Sequence, residues 1–484
     1  MKNYPVLLLA SLFLSFSFVS CQQAKTDKSS ESISICSENP FYWEYKGEPV
    51  LLVGGSKEDN LFNHPDGLES HLDILKENGG NYIRNTMSSR NPGNPWAFKQ
   101  LDNGLYDLEQ WDEEFWSRFK NLLDLCAERD IIVQIEIWDP WDYFKTEAPL
   151  GYGPENVGWE SCPYNPALNV NYTAEESGLS TEIDYYSTNK PTEHVFFHTV
   201  PVLKDIPVVR KYQEKFVEKI LSISLEYPNV LYCMNNEIGE PAEWGEYWAQ
   251  FIRKIASEAG KEVFLADMRR NSNFESDEQV KLLHDRKHYD FFEISQNNAN
   301  NDQRHYDLIM SIRKKVADNP KPLNNVKIYG GNIGSWTTSV EEGTRRFWRS
   351  VFAGCASVRF HREGPSEQYF GLGLSELAQT HIKSMRMFAG EFQVFEAEPA
   401  NEFLSDRESN EAYCLAEPGK KYAVYFTDSG EINIDLSGAN GELKLTWLNI
   451  AANTWLDGAP LNGGNSVSLK TPGNGQWVAL LKQE

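Results

Sequence analysis

The feature that most constrains this chain is a regular alternation of short apolar runs and longer amphipathic runs between residues 50 and 391. Each short run has the length and composition of a buried strand, and each longer run has apolar residues at helical spacing. Eight such strand–helix pairs predict a (β/α)8 TIM barrel, a fold of the α/β class. A doubly wound sheet is the alternative, but no glycine-rich phosphate loop follows the first strand. The predicted strands are residues 50–56, 81–87, 131–139, 230–237, 263–268, 289–296, 326–332 and 357–363.

The pattern changes after Phe395. Six short runs of alternating polarity follow, separated by Gly, Asn, Asp and Pro. Such runs predict a small antiparallel β-sandwich. We therefore predict a barrel domain over residues 39–395 and a small all-β sandwich domain over residues 396–484.

The N-terminus has the pattern of a targeting segment. Lys2 precedes an apolar run over residues 6–19, which is short for a membrane helix. The tetrapeptide FVSC, which ends at Cys21, resembles a bacterial lipobox, whose cysteine is lipidated after cleavage. The resemblance implies a signal peptide over residues 1–20 and a flexible tether over 21–38. It also implies a lipid anchor in the bacterial cell envelope, on the outer membrane surface or the periplasmic face. An ordinary secretory signal with an incidental cysteine is the alternative.

Composition narrows the choice of partners. The formal charge of −24 argues against nucleic acid or an anionic membrane surface as a partner. The 14 Trp and 22 Tyr residues are consistent with a carbohydrate substrate, because sugars stack their C–H faces on aromatic rings. The alternative is that a large barrel simply contains many aromatic residues. The cysteines are scattered without a CxxC pair, so neither a zinc site nor a disulfide framework is indicated. His284 and His288 lie one helical turn apart without a convincing third ligand. We expect no metal and no cofactor.

The strongest chemical signal is the stretch VLYCMNNEIGEP over residues 230–241. Its apolar start leads into Asn235, Asn236 and Glu237, and the chain then turns at Gly239. The pattern predicts a buried strand with a polar end, followed by the start of a helix. A TIM barrel places its chemistry at the C-terminal ends of its strands, which makes Glu237 a candidate catalytic residue. The alternative is a polar strand end that happens to contain a glutamate.

The other predicted strand ends carry carboxylates, arginines, a histidine and amides. These groups suit glycoside hydrolysis, which needs a carboxylic acid and usually a second carboxylate. The candidates for substrate binding are Arg84, Glu136, Asn236, Trp138, Trp141, Gln296, Asn332, Arg359 and His361. Glu136 could instead pair with Arg84 in the barrel core. The irregular, aromatic-rich stretch over residues 140–205 is predicted to form a wall of the substrate pocket, with an inert insertion as the alternative.

Three parts of the chain resemble known glycosidases. The Asn236-Glu237 pair resembles the acid/base strand of the clan A glycoside hydrolases, in which the Glu protonates the leaving oxygen and the Asn holds the 2-hydroxyl group. Residues 343–361 resemble the eighth-strand region of apiosidase-like barrels (glycoside hydrolase family 140 and relatives). Residues 447–481 are similar to the collagen-binding-like domain attached to those barrels. The resemblance implies that Glu237 is a proton donor and that Arg84 supports the nucleophile.

The chain departs from clan A at strand seven. In that clan the nucleophile is a Glu at the end of this strand, but VKIYGGN over residues 326–332 contains no acid. A second carboxylate could come from another strand, with Glu293 as the first choice and Glu363 as the next. An inverting enzyme would separate its carboxyls by roughly 6.5–9.5 Å, and a different strand could supply one of them. We predict a glycoside hydrolase; the alternatives are a non-catalytic glycan-binding lipoprotein and, more remotely, an adhesion module.

Overall fold

The computed structural model describes residues 1, 31–144, 158–183, 194–332, 338–363 and 370–483. Cys21, nearly all of the predicted signal peptide and much of the predicted tether lie outside these residues. The lipid anchor therefore stays a prediction. Within the described ranges, no helix is both long enough and apolar enough to cross a membrane.

The larger domain is a barrel of eight parallel strands, each followed by a helix. The strands are β1 (Leu52–Gly55), β2 (Tyr82–Thr86), β3 (Ile132–Trp138), β4 (Val230–Asn235), β5 (Leu265–Ala266), β6 (Phe292–Glu293), β7 (Leu323–Ile328) and β8 (Ser357–Phe360). The helices are α1 (Leu68–Glu77), α2 (Glu113–Glu128), α3 (Pro207–Ser224), α4 (Ala242–Glu258), α5 (Asp277–His284), α6 (Asp302–Lys315), α7 (Val340–Phe352) and α8 (Glu376–Phe392). This arrangement confirms the predicted TIM barrel.

Hydrogen bonds connect the strands in the order β5-β4-β3-β2-β1-β8-β7-β6. The two ends of this sheet meet where the backbone N–H of Asp290, just before β6, donates to the carbonyl of Leu265 on β5 at 2.8 Å. The barrel is therefore nearly closed. All seven residues of β3 are buried, because one face of the strand lines the barrel interior and helices cover the other.

Local sequence explains where the helices begin. Asp112 caps α2, and its carboxylate accepts a hydrogen bond from the N–H of Phe115. Ser276, Ser339 and Ser375 cap α5, α7 and α8 in the same way. Side chains three and four residues apart then bury one face of each helix against the strands.

Strand β7 begins three residues earlier than predicted and ends four residues earlier, at Ile328. Its pairing with β8 shifts by one residue between Asn325 and Ile328, which is a β-bulge. Asn324 lies before the bulge and its side chain is held by Tyr82 and Gln134 in the barrel interior. Lys327 lies within the bulge and also reaches interior partners, the side chains of residues 236 and 237. The bulge therefore brings an additional side chain of β7 into the barrel.

A small antiparallel sheet packs near the N-terminal ends of the barrel strands. Its strands are Ser34–Ile35, Trp43–Tyr45 and Glu48–Val50. The Trp43 indole donates to Asn324 Oδ1 at 3.0 Å, and its ring packs against Phe264 and Phe291. Ile33 is also buried, and its backbone N–H donates to the carbonyl of Pro228 at 2.8 Å. The end of the predicted flexible tether therefore packs on the barrel from Ile33 onward.

Other short elements lie in the barrel loops. Phe98–Gln100 pairs with Tyr106–Trp111 in an antiparallel hairpin between β2 and α2. A four-residue helix covers Ala174–Ser177. Short 3-10 turns occur at Leu61–Asn63, Pro140–Asp142, Val195–His198, Ser295–Ala299, Val394–Glu396 and Asn401–Phe403.

The C-terminal domain consists of two antiparallel sheets, as the sequence predicted. The strands are β9 (Glu398–Pro399), β10 (Leu404–Ser405), β11 (Ala412–Glu417), β12 (Lys421–Phe426), β13 (Glu431–Asp435), β14 (Glu442–Asn449), β15 (Thr454–Asp457), β16 (Leu461–Asn462), β17 (Ser466–Lys470) and β18 (Trp477–Gln483). The larger sheet has the order β9-β11-β12-β18-β14-β15, with β16 beside β14. The smaller sheet has the order β10-β13-β17.

The larger sheet packs on the barrel with one face and on the smaller sheet with the other. Along β12, Tyr422 and Val424 belong to the apolar core between the sheets, whereas Tyr425 belongs to the barrel core. The Tyr425 ring stacks on Trp348 of α7 with 5.6 Å between ring centroids. Alternation along the strands therefore gives this sheet two buried faces.

Candidate active site

Glu237 lies two residues beyond the end of β4, at the C-terminal mouth of the barrel. Its backbone φ of 52° is in the left-handed region, which is uncommon for a residue other than glycine. Its side chain is 24% exposed, so the carboxylate reaches the mouth. Lys327 Nζ on β7 lies 2.7 Å from Oε1, and Gln296 Nε2 after β6 donates to the same oxygen at 2.8 Å. Segments from three strands thus converge on one carboxylate.

Three hydrogen bonds hold Asn236 in place. Its backbone N–H donates to the carbonyl of Trp138 at 2.9 Å. Its side-chain amide donates to Asp139 Oδ1 at 3.0 Å, and its Oδ1 accepts a hydrogen bond from Lys327. The predicted pair Asn236-Glu237 is therefore held as a unit by Lys327, which contacts both side chains.

A buried charged network lies beside this pair, with Asp59 at its centre. Arg84 Nη1 lies 2.6 Å from Asp59, and Arg84 Nε donates to Glu136 at 2.7 Å. Arg90 connects Asp59 to Asp139 with contacts of 3.2 and 3.0 Å. Although burial acts to raise the pKa of Asp59, Arg84 and its other cationic neighbours hold the pKa well below its usual value. Asp59 is therefore an anion that holds the arginines in place.

The contact between Arg84 and Glu136 confirms the sequence-based interpretation that these two residues pair in the core. Both side chains are fully buried. The role that the clan A resemblance implies for Arg84, support of a nucleophile, stays a prediction.

The end of β8 contributes further cations to the network. Arg359 donates to the carbonyl of Val326 at 2.7 Å and also to Ser56. Arg362 Nε lies 3.1 Å from Asp59, and its guanidinium lies over the Phe370 ring. The Arg359 side chain has no exposed surface. This residue therefore supports the network and does not contact a ligand at the barrel mouth.

His361 also faces the network, with Nδ1 3.6 Å from Asp59 Oδ1. Its ring packs on Tyr329 with 4.3 Å between centroids. Burial lowers the pKa of His361 well below its usual value, despite the nearby carboxylate of Asp59. His361 is therefore neutral at physiological pH and its side chain is only 5% exposed.

Glu293 lies inside the barrel, not at its mouth. Its side chain accepts hydrogen bonds from the backbone N–H and the hydroxyl of Ser295, and from Gln134 Nε2 at 3.4 Å. The residue is only 3% exposed. Burial raises the pKa of Glu293 to about 7, against the opposing hydrogen bonds from Ser295 and Gln134.

The charge states of Glu237 and Glu293 are the reverse of those that the predicted roles require. Burial acts to raise the pKa of Glu237, but the charge and hydrogen bond of Lys327, with the hydrogen bond of Gln296, lower it below 4.5. A carboxyl that donates a proton near neutral pH needs a raised pKa, whereas a carboxylate nucleophile must be ionised. In the free protein Glu237 is ionised at neutral pH, whereas Glu293 is partly protonated.

The third predicted catalytic residue, Glu363, lies in the loop after β8. Its Oε1 accepts a hydrogen bond from the backbone N–H of Leu374 at 3.3 Å. Asn332, predicted to bind substrate, lies four residues beyond the end of β7 and is exposed. Gln296 is the predicted binding residue that directly contacts Glu237.

The two predicted tryptophans differ in their surroundings. Trp138 is fully buried, and its ring packs among Phe196, Trp244 and Trp248. It has no exposed face on which a sugar could stack, so its prediction as a substrate-binding residue is wrong in this structure. Trp141 is partly exposed, and its backbone N–H donates to Asp139 in the network.

The aromatic residues of the long stretch over 140–205 form a core of their own in its described parts. Tyr143, Trp159, Tyr164 and His194 are buried, and Tyr143 stacks on Phe196 with 4.2 Å between centroids. These side chains therefore support the stretch, and Tyr143 and Tyr164 also line a small cavity beside Phe98 and Phe216. Tyr185 and Tyr186, which belong to the same stretch, lie outside the described residues.

Sequence reasoning missed Asp59 and Lys327. Asp59 follows the end of β1 by four residues, and its position in the loop carries no periodic signal. Lys327 was visible as a cation within an apolar strand pattern, which is a signal that could have been used.

One group of metal-ligand type occurs among the described residues: Glu246, Asp285 and His288, whose ligand atoms lie within 4.8 Å of one another. His288 Nδ1 is already 2.7 Å from Asp285, and its Nε2 is 2.9 Å from Gln250. Both ring nitrogens are thus engaged within the protein.

Comparison with known proteins identifies the fold. No family model matches the sequence, and no curated protein sequence matches it either. A glycoside hydrolase family 5 structure from Bacteroides vulgatus has 14% identity and a TM-score of 0.62, with 94% of each chain covered. A further glycoside hydrolase has 13% identity and a TM-score of 0.63 over 94% of this chain and 98% of the other. A family 5 mannosidase from Rhizomucor miehei has 14% identity and a TM-score of 0.53 over 76% of this chain and 99% of its own. These likenesses establish the barrel fold.

Proposed function

We propose that the protein is a glycoside hydrolase with its active site at the barrel mouth and Glu237 as the reacting carboxylate. The observation that carries the proposal is the convergence of Lys327 and Gln296 on Glu237 at a strand end with left-handed backbone. Unusual backbone geometry concentrates at functional sites. The glycosidases with similar barrels support the reaction class. The resemblance of residues 343–361 and 447–481 supports placement in the apiosidase-like branch.

In this proposal Glu237 acts in its ionised form, as the nucleophile or as the base that activates water. The three described carboxyls with raised pKa values, Asp142, Asp267 and Glu293, are each 3% exposed or less and cannot readily reach a leaving group. Hydrolysis should therefore be fastest on substrates whose leaving group needs little protonation. This assignment reverses the proton-donor role that the sequence resemblance implied.

The test compares aryl glycosides that have good leaving groups with alkyl glycosides that have poor ones. Glu237→Gln should lower kcat/KM by about 10²-fold or more on both kinds of substrate. If activity survives on the good leaving groups alone, Glu237 is the proton donor and our role assignment is wrong. Glu363→Gln is measured beside it, because Glu363 is the other predicted catalytic carboxylate in a loop at the barrel mouth.

A second candidate is non-catalytic glycan binding. It is favoured by the composition of β7, which contains the cation Lys327 and no acid, whereas strand seven of clan A enzymes ends in the nucleophile. Titration calorimetry with oligosaccharides would then detect binding without turnover, and Glu237→Gln would change affinity only. Detectable turnover that depends on Glu237 would exclude this candidate.

We also propose the cellular setting that the N-terminal sequence suggests. Lipidation at Cys21 would attach the protein to the bacterial cell envelope, with a carbohydrate as its substrate. The charge of −24 is consistent with a partner other than nucleic acid.

A further inference from the structure

Two partly exposed side chains near Glu237 carry polar atoms that no described residue engages. They are Gln296, in the turn after β6, and Tyr329, which directly follows β7. The Tyr329 hydroxyl and Gln296 Oε1 have no hydrogen-bond partner in the described part of the chain, and neither atom is enclosed. Both atoms are therefore accessible to a ligand at the barrel mouth.

The orientation of the Gln296 amide follows from the charge of Glu237. An ionised carboxylate only accepts hydrogen bonds, so the amide nitrogen, and not the carbonyl, must face it. The observed contact runs from Gln296 Nε2 to Glu237 Oε1 at 2.8 Å. The carbonyl oxygen of the same amide is therefore presented as an acceptor beside the reacting carboxylate.

Tyr329 lies on the side of the β7 segment that faces the mouth. It comes two positions after Lys327, which contacts Glu237 at 2.7 Å, and alternate side chains of an extended segment share a face. Its ring packs on His361 with 4.3 Å between centroids. Burial and the charges of Glu237 and Asp59 raise the pKa of the Tyr329 hydroxyl well above its usual value, so the hydroxyl stays protonated. It is an uncharged group that can both donate and accept a hydrogen bond.

Asn298 fixes the segments that carry these two side chains relative to each other. Its side-chain amide donates to the carbonyls of Ser295 and Lys327. Its Oδ1 accepts a hydrogen bond from the backbone N–H of Tyr329 at 3.1 Å. The turn that carries Gln296 is therefore joined to the segment that carries Tyr329, and the two polar groups are preorganised.

The backbone around Tyr329 is also held from the side of α7. Its carbonyl accepts a hydrogen bond from Arg346 Nη1 at 3.1 Å. The next residue, Gly330, lies so close to α7 that a Cβ at this position would be 2.3 Å from the Cα of Gly343. Only glycine fits at residue 330 without moving the helix, so the position of the Tyr329 hydroxyl is set by packing as well as by hydrogen bonds.

Asn236 has its own hydrogen-bonding groups engaged within the protein. Its amide donates to Asp139 at 3.0 Å, and its Oδ1 accepts from Lys327. The residue is only 2% exposed, so little of its side chain can contact a sugar hydroxyl.

We propose that Tyr329 and Gln296 form a hydroxyl-binding pair that determines which sugar ring is held against Glu237. Gln296 Oε1 accepts from one ring hydroxyl, and the Tyr329 hydroxyl donates to or accepts from another hydroxyl of the same ring. Both protein groups are uncharged and complement hydroxyl groups, each of which can donate and accept. That the ligand is a sugar rests on the proposed function.

The test measures binding of iminosugars to the full chain by titration calorimetry. The probes are 1-deoxy iminosugars of gluco, manno and galacto configuration, whose ammonium group would pair with the ionised Glu237. We expect at least one of them to bind. Tyr329→Phe should weaken this binding by about fivefold or more, the effect of losing one hydrogen bond. Because the removed hydroxyl has no described partner, the variant should be as stable as the wild type in urea unfolding.

Tyr306→Phe is the matched control. The Tyr306 hydroxyl also has no partner in the described part of the chain, but its ring packs on Tyr413 of the C-terminal domain with 4.5 Å between centroids. This variant loses the same atom away from the barrel mouth and should retain full affinity for the iminosugar.

Analogues that lack single hydroxyl groups distinguish a direct contact from an indirect effect. One such analogue should bind the wild type about fivefold more weakly than its parent, whereas Tyr329→Phe should bind the analogue and the parent equally. Gln296→Met should lose discrimination at a different hydroxyl, and this second variant keeps the test decisive if Tyr329→Phe does not fold. A merely structural role of either side chain would weaken the binding of parent and analogue alike.

Three results would overturn the inference. The first is equal affinity of Tyr329→Phe and the wild type. The second is a set of losses that simply add between variant and analogue at every hydroxyl. The third is failure of every iminosugar to bind the wild type.

Hydrolysis is measured in parallel to separate the two proposals. Iminosugar binding that depends on Tyr329, with no hydrolysis by any form of the protein, would contradict the proposed function alone. Turnover that depends on Glu237, with an iminosugar affinity that depends on neither Tyr329 nor Gln296, would contradict the hydroxyl-binding pair alone.

Discussion

The ion pair between Glu237 and Lys327 makes a prediction about stability that can be separated from catalysis. Lys327 is 2% exposed, and its ammonium contacts Glu237 and Asn236. Glu237→Gln removes the negative partner and leaves a buried ammonium beside amides. Removing one partner of a fully buried pair costs about 3–5 kcal/mol. Because Glu237 is about one-quarter exposed, we expect a smaller loss than in a fully buried pair, about 2–3 kcal/mol of unfolding free energy.

The partner variant completes a double-mutant cycle. Lys327→Met retains an unbranched side chain but removes the charge, and the double variant Glu237→Gln/Lys327→Met leaves no uncompensated ion. We expect the double variant to recover most of the stability lost in Glu237→Gln, which gives a coupling energy of about 2 kcal/mol. Urea unfolding at pH 7 measures all four proteins. The double variant should be stable and inactive, so that loss of activity cannot be attributed to unfolding.

The pH dependence of folding stability gives an independent check of the Glu237–Lys327 ion pair. The pKa of Glu237 is lower in the folded protein than its ordinary value of 4.5. Its contribution to stability is therefore present above pH 4.5 and is lost as the pH falls through the folded pKa. Lys327→Met should remove this contribution. The ion pair would be refuted if Glu237→Gln were as stable as the wild type at pH 7 and lost stability at acidic pH in the same way.

Three further predictions concern other sites. Glu293, whose pKa burial raises from 4.5 to about 7, should make the protein lose stability as the pH rises between these values; Glu293→Gln should stabilise it above pH 7 by on the order of 3 kcal/mol, measured by urea unfolding. Trp138→Ala should destabilise the protein by about 3–5 kcal/mol, whereas Trp141→Ala should cost about 1 kcal/mol and act mainly on glycan affinity. Cys21→Ala should abolish fatty-acid labelling and release the protein from membranes; retention of both would contradict the lipid anchor.

The barrel could be predicted because its signal is repeated eight times and each strand–helix pair agrees with the next. Strand β7 was displaced in the prediction because Pro320, Pro322 and the pair Asn324-Asn325 resemble a turn. In the structure Asn324 is a strand residue, because Trp43 and Tyr82 satisfy its side chain inside the barrel. Hydrogen bonds to residues distant in the sequence thus outweigh the local preference of this segment for a turn, and such bonds cannot be predicted from the local sequence.

The candidate site was predictable only where residues sit at strand ends. Glu237 and Asn236 were found from their place at a strand end together with the clan A resemblance. Arg84 was found in the same way, although it lies in the middle of β2. Asp59 could not be predicted, because its role depends on ion pairs with arginines on β2, after β8 and in the loop that carries Arg90. The burial of Trp138 was also invisible, since a strand covered on both faces has no polar alternation to mark its inner side.

The identity of one residue on β7 has consequences for the chemistry of β4. A carboxylate on β7 near Glu237 would repel its negative charge, raise its pKa and suit it to donate a proton. Lys327 has the opposite effect, because its charge 2.7 Å away stabilises the anion. Strand β7 contains Lys327 and no acid, and the lowered pKa of Glu237 follows mainly from that lysine. Under the proposed function, Glu237 beside Lys327 acts as a proton acceptor or as a nucleophile, not as a proton donor.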